Sequence, residues 1–267
     1  MNPNEAAEIL GLGSFFAKGQ LISGPFKKIR VHYSEKKQKM PTSLSKQIKE
    51  DWARHLETHP SDFDGALASI VSIRQNDKEI TIRTKRSNFS VFSSLKESRL
   101  TEIDNINGSI DKRNCVPLSV GAIAITRDNK IVLAVRNNTA FDNEALTFLP
   151  GGYIDPLTDS KDGKISLLSC IGRELKEELG IVGYERTKCL GIIHSKESSK
   201  QPLIAIRLIL FDSSQSVRSA YGPRNCESHS IHFVDNDINA MTEFLKGKEI
   251  TIHDAWKIIL HFSDIAP

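Results

Sequence analysis

The sequence predicts an α+β protein in two parts, a small N-terminal α+β domain with its linker over residues 1–110 and a larger domain over 111–267. Three observations predict it. The first hundred residues alternate strand, helix, hairpin and short helix patterns, which is the texture of a compact α+β unit. From Pro117 the chain turns rich in β-branched residues and reads as a run of strands. Between those strands lies one strongly amphipathic stretch, Leu168 to Leu179, with helical spacing.

Taken in order, residues 1–25 carry glycines and small residues and read as a loose tail or a short helix. Lys27 to Tyr33 sets Ile29, Val31 and Tyr33 against Lys28, Arg30 and His32, a period-two strand. Met40-Pro41-Thr42-Ser43 breaks the chain and caps a helix over 44–57, whose Leu44, Ile48, Trp52 and Leu56 form a stripe. His55 and His59 beside it read as surface or packing residues rather than ligands. Ala66 to Arg74 and Glu79 to Lys85 make a hairpin, and Phe89, Phe92 and Leu95 mark a short helix. Lys96 to Asn114 is polar and reads as a linker. Val120–Thr126 and Lys130–Arg136 form a second hairpin, and Leu146–Leu149 a short strand. Further strands are expected at Cys189–Ser195, Leu203–Phe211 and Ser230–Val234, then helices over 239–245 and 252–262.

The helix over 168–179 carries the chemistry. At about 100° per residue, Leu168, Ile171, Leu175 and Leu179 stack into one apolar stripe. Glu174, Glu177 and Glu178 fall at i, i+3 and i+4, so their carboxylates share another face, and Gly180 stops the helix. Like charges so placed oppose one another by a few tenths of a kcal/mol each. A divalent cation would relieve that repulsion, and an oxygen-only donor set suits Mg²⁺ or Mn²⁺ better than zinc. On spacing alone, this reading and an ordinary solvated face stand level.

Composition sets bounds. With 267 residues and a net charge of +3, well mixed along the chain, nothing marks a nucleic-acid or membrane binder. Cys115, Cys170, Cys189 and Cys226 are widely spaced and form no CxxC pair, so they read as reduced thiols rather than zinc ligands. No secretory signal pattern opens the sequence and no apolar run approaches membrane-helix length, so a cytoplasmic protein is expected.

Arg173-Glu174-Leu175-Lys176-Glu177-Glu178-Leu179-Gly180-Ile181 resembles the core of the Nudix box at every specified position. Phe148 to Asp155, with Pro150-Gly151-Gly152, resembles the lead-in to that box. The resemblance implies an α/β/α sandwich with a mixed sheet and hydrolysis of a diphosphate linkage. It implies that Glu174, Glu177 and Glu178 hold Mg²⁺ or Mn²⁺, one of them also taking the proton of the attacking water. Arg173 would orient the carboxylates by pairing, for example with Glu177, and Gly151 and Gly152 would keep side chains away from the ions. Tyr153 is either a substrate contact or a turn filler, and Arg136 either a phosphate contact or an exposed strand-end charge. Members often recruit one more carboxylate beyond the box. Glu227 is the candidate here, with Asp212 and Asp235 as alternatives, and His229 and His232 lie near it in sequence.

The match departs in one respect. Twenty residues separate Gly152 from Arg173, about seven more than the family pattern, with the excess in the turn-rich stretch Pro156 to Lys164. The position of the family's first glutamate then holds Ile165, leaving Asp155 as another acid near the glycines.

Ile48, Trp52, His55, Leu56, Pro60, Phe63-Asp64-Gly65, then Phe89, Phe92 and Leu95, are similar to the N-terminal region of Nudix-type UDP-glucose and UDP-galactose diphosphatases. That likeness implies a UDP-sugar cleaved to UMP and sugar 1-phosphate. ADP-ribose, NADH or coenzyme A as substrate, and a non-catalytic nucleotide-binding module, are the alternatives; an isopentenyl-diphosphate isomerase is disfavoured, because its cysteine and glutamate pair has no counterpart. The expected partner is a small nucleoside diphosphate, with neither membrane nor nucleic acid. The N-terminal domain is left with three roles: binding the base, making a homodimer, or bracing the hydrolase domain.

Overall fold

The computed structural model describes residues 1–23, 28–36, 42–60, 62–76, 79–97, 116–137, 145–195, 202–221 and 228–264. The turn at 77–78, nearly all of the linker, Cys115, Cys226 and Glu227 lie outside them. In chain order the elements are α1 (Pro3–Ile9), α2 (Gly13–Lys18), β1 (Gly19–Ser23), β2 (Lys28–Ser34), α3 (Thr42–Thr58), β3 (Ala66–Asn76), β4 (Glu79–Asn88) and α4 (Phe89–Glu97). There follow β5 (Ser119–Ile125), β6 (Lys130–Arg136), β7 (Leu146–Phe148), β8 (Gly151–Tyr153), β9 (Ser160–Lys161), β10 (Lys164–Ile165) and α5 (Leu167–Leu179). The chain ends with β11 (Tyr184–Ser195), β12 (Pro202–Leu210), α6 (Ser214–Ala220), β13 (Ser228–Asp235), α7 (Ile238–Leu245) and α8 (Ile252–Asp264).

The described residues form two compact units, each discontinuous in sequence. The first comprises Met1–Phe26, Ser119–Gly152 and Leu168–Pro267; the second comprises Lys27–Leu118 and Tyr153–Leu167. A single cut near residue 110 therefore does not describe the contacts: the first 26 residues group with the C-terminal half, and part of the box's inserted stretch groups with the N-terminal half.

In the first unit the sheet runs β1-β11-β12-β5-β6-β13, with β7 beside β6 and β8 beside β5. β12 and β5 are parallel, whereas β11 with β12 and β13 with β6 are antiparallel, so the sheet is mixed and the fold class is α+β as expected. Every residue of β5 is buried, which is why Ser119 to Ile125 reads as a continuous apolar run rather than an alternating one. The expected loose tail is part of this unit. Asn2 caps α1 in a reciprocal box with Glu5, Pro3 stands in its first turn, and Ala6, Ala7, Leu10 and Leu12 join the core that holds Ile258, Ile259 and Phe262 of α8. β1 then pairs with β11, closing that edge.

In the second unit the sheet order is β3-β4-β2-β10-β9. β3 and β4 form the expected hairpin, and β2 lies parallel to β4. The stretch expected as a loop is a small hairpin instead. Asp162 and Gly163 both adopt positive φ, 52° and 70°, as the central residues of a type I′ turn, and Lys164 and Ile165 pair with His32 and Val31 of β2. Two-residue strands are too short to show an alternating pattern, so only the Asp-Gly pair marked them. Among the described residues, no helix is long and apolar enough to cross a membrane.

Candidate functional site

The site is built on α5. Cys170, Ile171, Leu175 and Leu179 are fully buried, each worth about 2 kcal/mol of transfer from water for the larger side chains, which fixes the helix's rotation. Leu168, expected in the stripe, stands in the first turn and is 48% exposed. Gly180 ends the helix at φ 69°, its N–H donating to Lys176, and a Cβ there would come within 2.6 Å of the Ala220 carbonyl oxygen. The stop is therefore both conformational and steric.

With that rotation set, the carboxylates divide. Glu174 is 8% exposed, Glu178 is half-buried and Glu177 faces solvent. Arg173 lies among them, donating through Nη1 to Glu174 Oε1 at 2.7 Å and to Glu177 Oε2 at 3.1 Å. The pairing with Glu177 expected at i+4 is present, and a second bond to Glu174 accompanies it.

The glycine lead-in meets the same helix. The Gly151 N–H donates to Glu178 Oε2 at 2.8 Å. At Gly152 any Cβ would fall under 3.0 Å from the Oε1, Cδ and Oε2 atoms of Glu174, so only glycine leaves room for that carboxylate. A Cβ on Gly151 would press to 3.3 Å from the Gly121 Cα on the neighbouring β5. Two motifs separated by twenty residues thus converge through one hydrogen bond and one vacated side-chain position.

The other candidates separate. Arg136 is half-buried at the end of β6, its N–H donating to the Ala145 carbonyl. Tyr153 belongs to the second unit, where its ring meets Phe92 at 5.8 Å and Phe89 at 6.2 Å. Asp155, also there, accepts from the Leu157 N–H at 2.8 Å, an Asx turn within its own loop. Asp235 pairs with Lys130 at 2.6 Å, and Asp212 is half-buried after β12. His229 is exposed; burial, then Lys248, Arg218 and His229, holds His232 below the ordinary histidine range, so it favours the neutral form. His55, expected as a packing or surface residue, stacks on Trp52 at 4.9 Å and pairs with Asp62 at 2.8 Å.

One feature beside the glycine turn escaped the sequence reading. Asp254 and Lys257 of α8 form an ion pair at 2.5 Å with both side chains about 5% exposed, and both bond the backbone of Phe148. Its only sequence signal was an i, i+3 spacing in the final helix, which solvated pairs show equally.

The donor set at α5 is oxygen only, and Glu174 fills the space that Gly152 leaves, which fits a hard divalent cation. Among the described residues no three His, Cys, Asp or Glu side chains are grouped to hold an ion as they stand; the cation lying between Glu174 and Glu177 is the Arg173 guanidinium.

Residues 116–237 match the family model of the NUDIX domain. The match covers just under half of the chain, from the residues before β5 through β13. The α+β Nudix fold expected from the box and its lead-in is the one observed. Solved structures similar to the chain include the NUDIX domain of Shewanella oneidensis NrtR in complex with ADP ribose, at 17% identity and a TM-score of 0.43, covering 62% of this chain and all of that one. A NUDIX hydrolase from Nitrosomonas europaea is 17% identical over 55% of this chain and 88% of its own, with a TM-score of 0.39. A MutT NUDIX hydrolase from Burkholderia pseudomallei is 21% identical over 54% and 95%, with a TM-score of 0.36. No curated protein matches the sequence.

Proposed function

We propose that the protein is a metal-dependent hydrolase of a diphosphate linkage in nucleoside diphosphate derivatives, and that its substrate is a UDP-sugar cleaved to UMP and sugar 1-phosphate. The observation that carries the reading is the meeting of the two motifs: Gly151 anchors Glu178 and Gly152 makes room for Glu174 on the helix that also bears Glu177.

Glu174, Glu177 and Glu178 would hold Mg²⁺ or Mn²⁺, with Glu227 as a further ligand. Bound there, the ions supply charge neutralisation on the phosphates and a more acidic water. The chain's own groups do the rest. Arg173 holds Glu174 and Glu177 by charge-assisted bonds, restricting their rotamers before substrate arrives. Glu177, exposed and single-bonded to Arg173, is free to accept the attacking water's proton. Arg136, on a strand end of the same unit, is the candidate phosphate contact. Support for the sugar nucleotide comes from the second unit, where Trp52, His55, Phe89 and Phe92 of the N-terminal likeness form one aromatic group that Tyr153 of the box lead-in joins, with Trp52 and His55 stacked and the other rings edge-on or tilted.

The test is turnover with Mg²⁺ of a panel holding UDP-glucose, ADP-ribose, NADH, coenzyme A and dGTP. UMP and sugar 1-phosphate from the UDP-sugar, with the other members spared, is the expected result. Cleavage of another member alone would sink the sugar-nucleotide reading while leaving the hydrolase reading in place.

A further inference from the structure

The buried pair on α8 sits where it governs the turn. β7 pairs with β6 on one side. On its other side Leu146 donates to the Glu249 carbonyl at 2.9 Å, while Phe148 meets side chains of α8. The Phe148 N–H donates to Asp254 Oδ1 at 3.1 Å and its carbonyl accepts from Lys257 Nζ at 3.2 Å. One ion pair therefore satisfies both backbone groups of a residue two before Pro150. The pair is itself held: Thr251 Oγ1 donates to Asp254 Oδ2 at 2.7 Å, and the Asp254 N–H donates back to Thr251 at 3.1 Å. Burial alone would raise the Asp254 carboxyl, but Lys257 and the hydrogen bonds outweigh it and keep it below the ordinary range, hence ionised.

From Phe148 the path to the carboxylates is short. The Pro150 carbonyl accepts from the Ala122 N–H at 2.7 Å, and the next residue's N–H holds Glu178. On the far side of β5, a Cβ at Gly121 would come within 3.2 Å of Lys257 Nζ, so that glycine leaves the ammonium its place. A fully desolvated ion pair is a poor way to stabilise a core, since apolar replacements are often as good. Its geometry here suits position rather than stability.

We infer that Asp254 and Lys257 are positioning residues for the Nudix carboxylates: by gripping both backbone groups of Phe148 they set the glycine turn and, through the Gly151 N–H, the orientation of Glu178. The inference rests on the proposed metal site for its consequence, though not for its geometry.

Two double variants test it. Asp254→Leu with Lys257→Met removes both charges and both bonds to Phe148. Asp254→Asn with Lys257→Gln removes the charges but keeps an acceptor for the Phe148 N–H and a donor for its carbonyl. The primary readout, which needs no metal, is hydrogen exchange of the Gly151 amide, with melting temperature recorded alongside. The Leu/Met variant is expected to lose about tenfold or more of the Gly151 protection, and to bind Mn²⁺ about tenfold more weakly by electron paramagnetic resonance, at a near-parental melting temperature. The Asn/Gln variant is expected to stay within about threefold of the parent in both. A folded Leu/Met variant with parental Gly151 protection overturns the inference. If that variant does not fold, Asp254→Asn with Lys257→Met decides, since it removes the bond to the Phe148 carbonyl and keeps an acceptor for its N–H: parental Gly151 protection in it refutes the positioning role, and a loss of about threefold or more upholds it. Failure of the metal reading shows separately, as a parent protein that binds no Mn²⁺ or a Glu178→Gln variant that binds it unchanged.

Discussion

At Gly152 the missing side chain is as informative as any present one. Gly152→Ala would push a methyl group into the Glu174 carboxylate, which is buried, paired with Arg173 and unable to retreat freely. Overpacking of this kind costs about 1–3 kcal/mol, so a drop of several degrees in Tm with activity lost more than stability is the expected outcome, read by calorimetry and turnover together. His261 offers a second residue-scale check. It is buried in α8, bonded through Nε2 to Asn236 at 2.7 Å, and burial followed by Arg207 pushes its pKa down to about 3 from 6.5. Its folded-state value is depressed, so between pH 6.5 and about 3 the unfolded chain takes up a proton that the folded chain refuses. Stability therefore falls as pH drops through that window, by up to about 1.4 kcal/mol per pH unit from this one group. Urea denaturation from pH 7 down to 5 should show the slope, and His261→Gln should flatten it; identical slopes would remove His261 as the cause. Lys257→Met alone leaves an ionised Asp254 unpaired in the core, with an expected loss of about 3–5 kcal/mol measured the same way.

At the scale of elements, legibility followed the strength of local pattern. α5 was readable because its stripe, its carboxylate spacing and its terminal glycine all agree, and the structure adds only that Leu168 is exposed. α6 was missed, since Val217 is its one buried side chain and Ser213 its only cap signal. Residues 1–25 read only as a loose tail or a short helix, and no local pattern tells that α1 packs on α8 or that β1 pairs with β11. The β9–β10 hairpin carried its turn chemistry and little else. Its partner, β2, is the element it protects: the Tyr33 N–H donates to the Gly163 carbonyl at 2.8 Å. Replacing Pro156–Lys164 by a short Gly-Ser link should expose that edge, raising amide exchange at Val31 and Tyr33 while β6 keeps its protection. Unchanged exchange in β2 would show the hairpin to be dispensable to its sheet.

At the scale of the molecule, the chain passes between its two compact units at residues 26–27, 118–119, 152–153 and 167–168. Two of those crossings lie between the glycine lead-in and the box helix, so the seven or so extra residues that break the Nudix spacing are the second unit's own strands. This explains why the first-glutamate position holds Ile165: that residue is paired to Val31 in a sheet rather than offered to a metal. The candidate site was legible where chemistry and spacing coincide, in Glu174, Glu177, Glu178, Arg173 and the two glycines. It was illegible where position depends on a distant backbone contact, as with Asp254 and Lys257. Metal-dependent cleavage of a diphosphate is the role proposed for these box carboxylates. The most direct measurement is UMP release from UDP-glucose across a Mg²⁺ titration, for the parent and for the Glu177→Gln/Glu178→Gln double variant. Release is expected to rise with Mg²⁺ and to fall by at least about a hundredfold in the variant. Parental turnover by a folded variant would contradict that role.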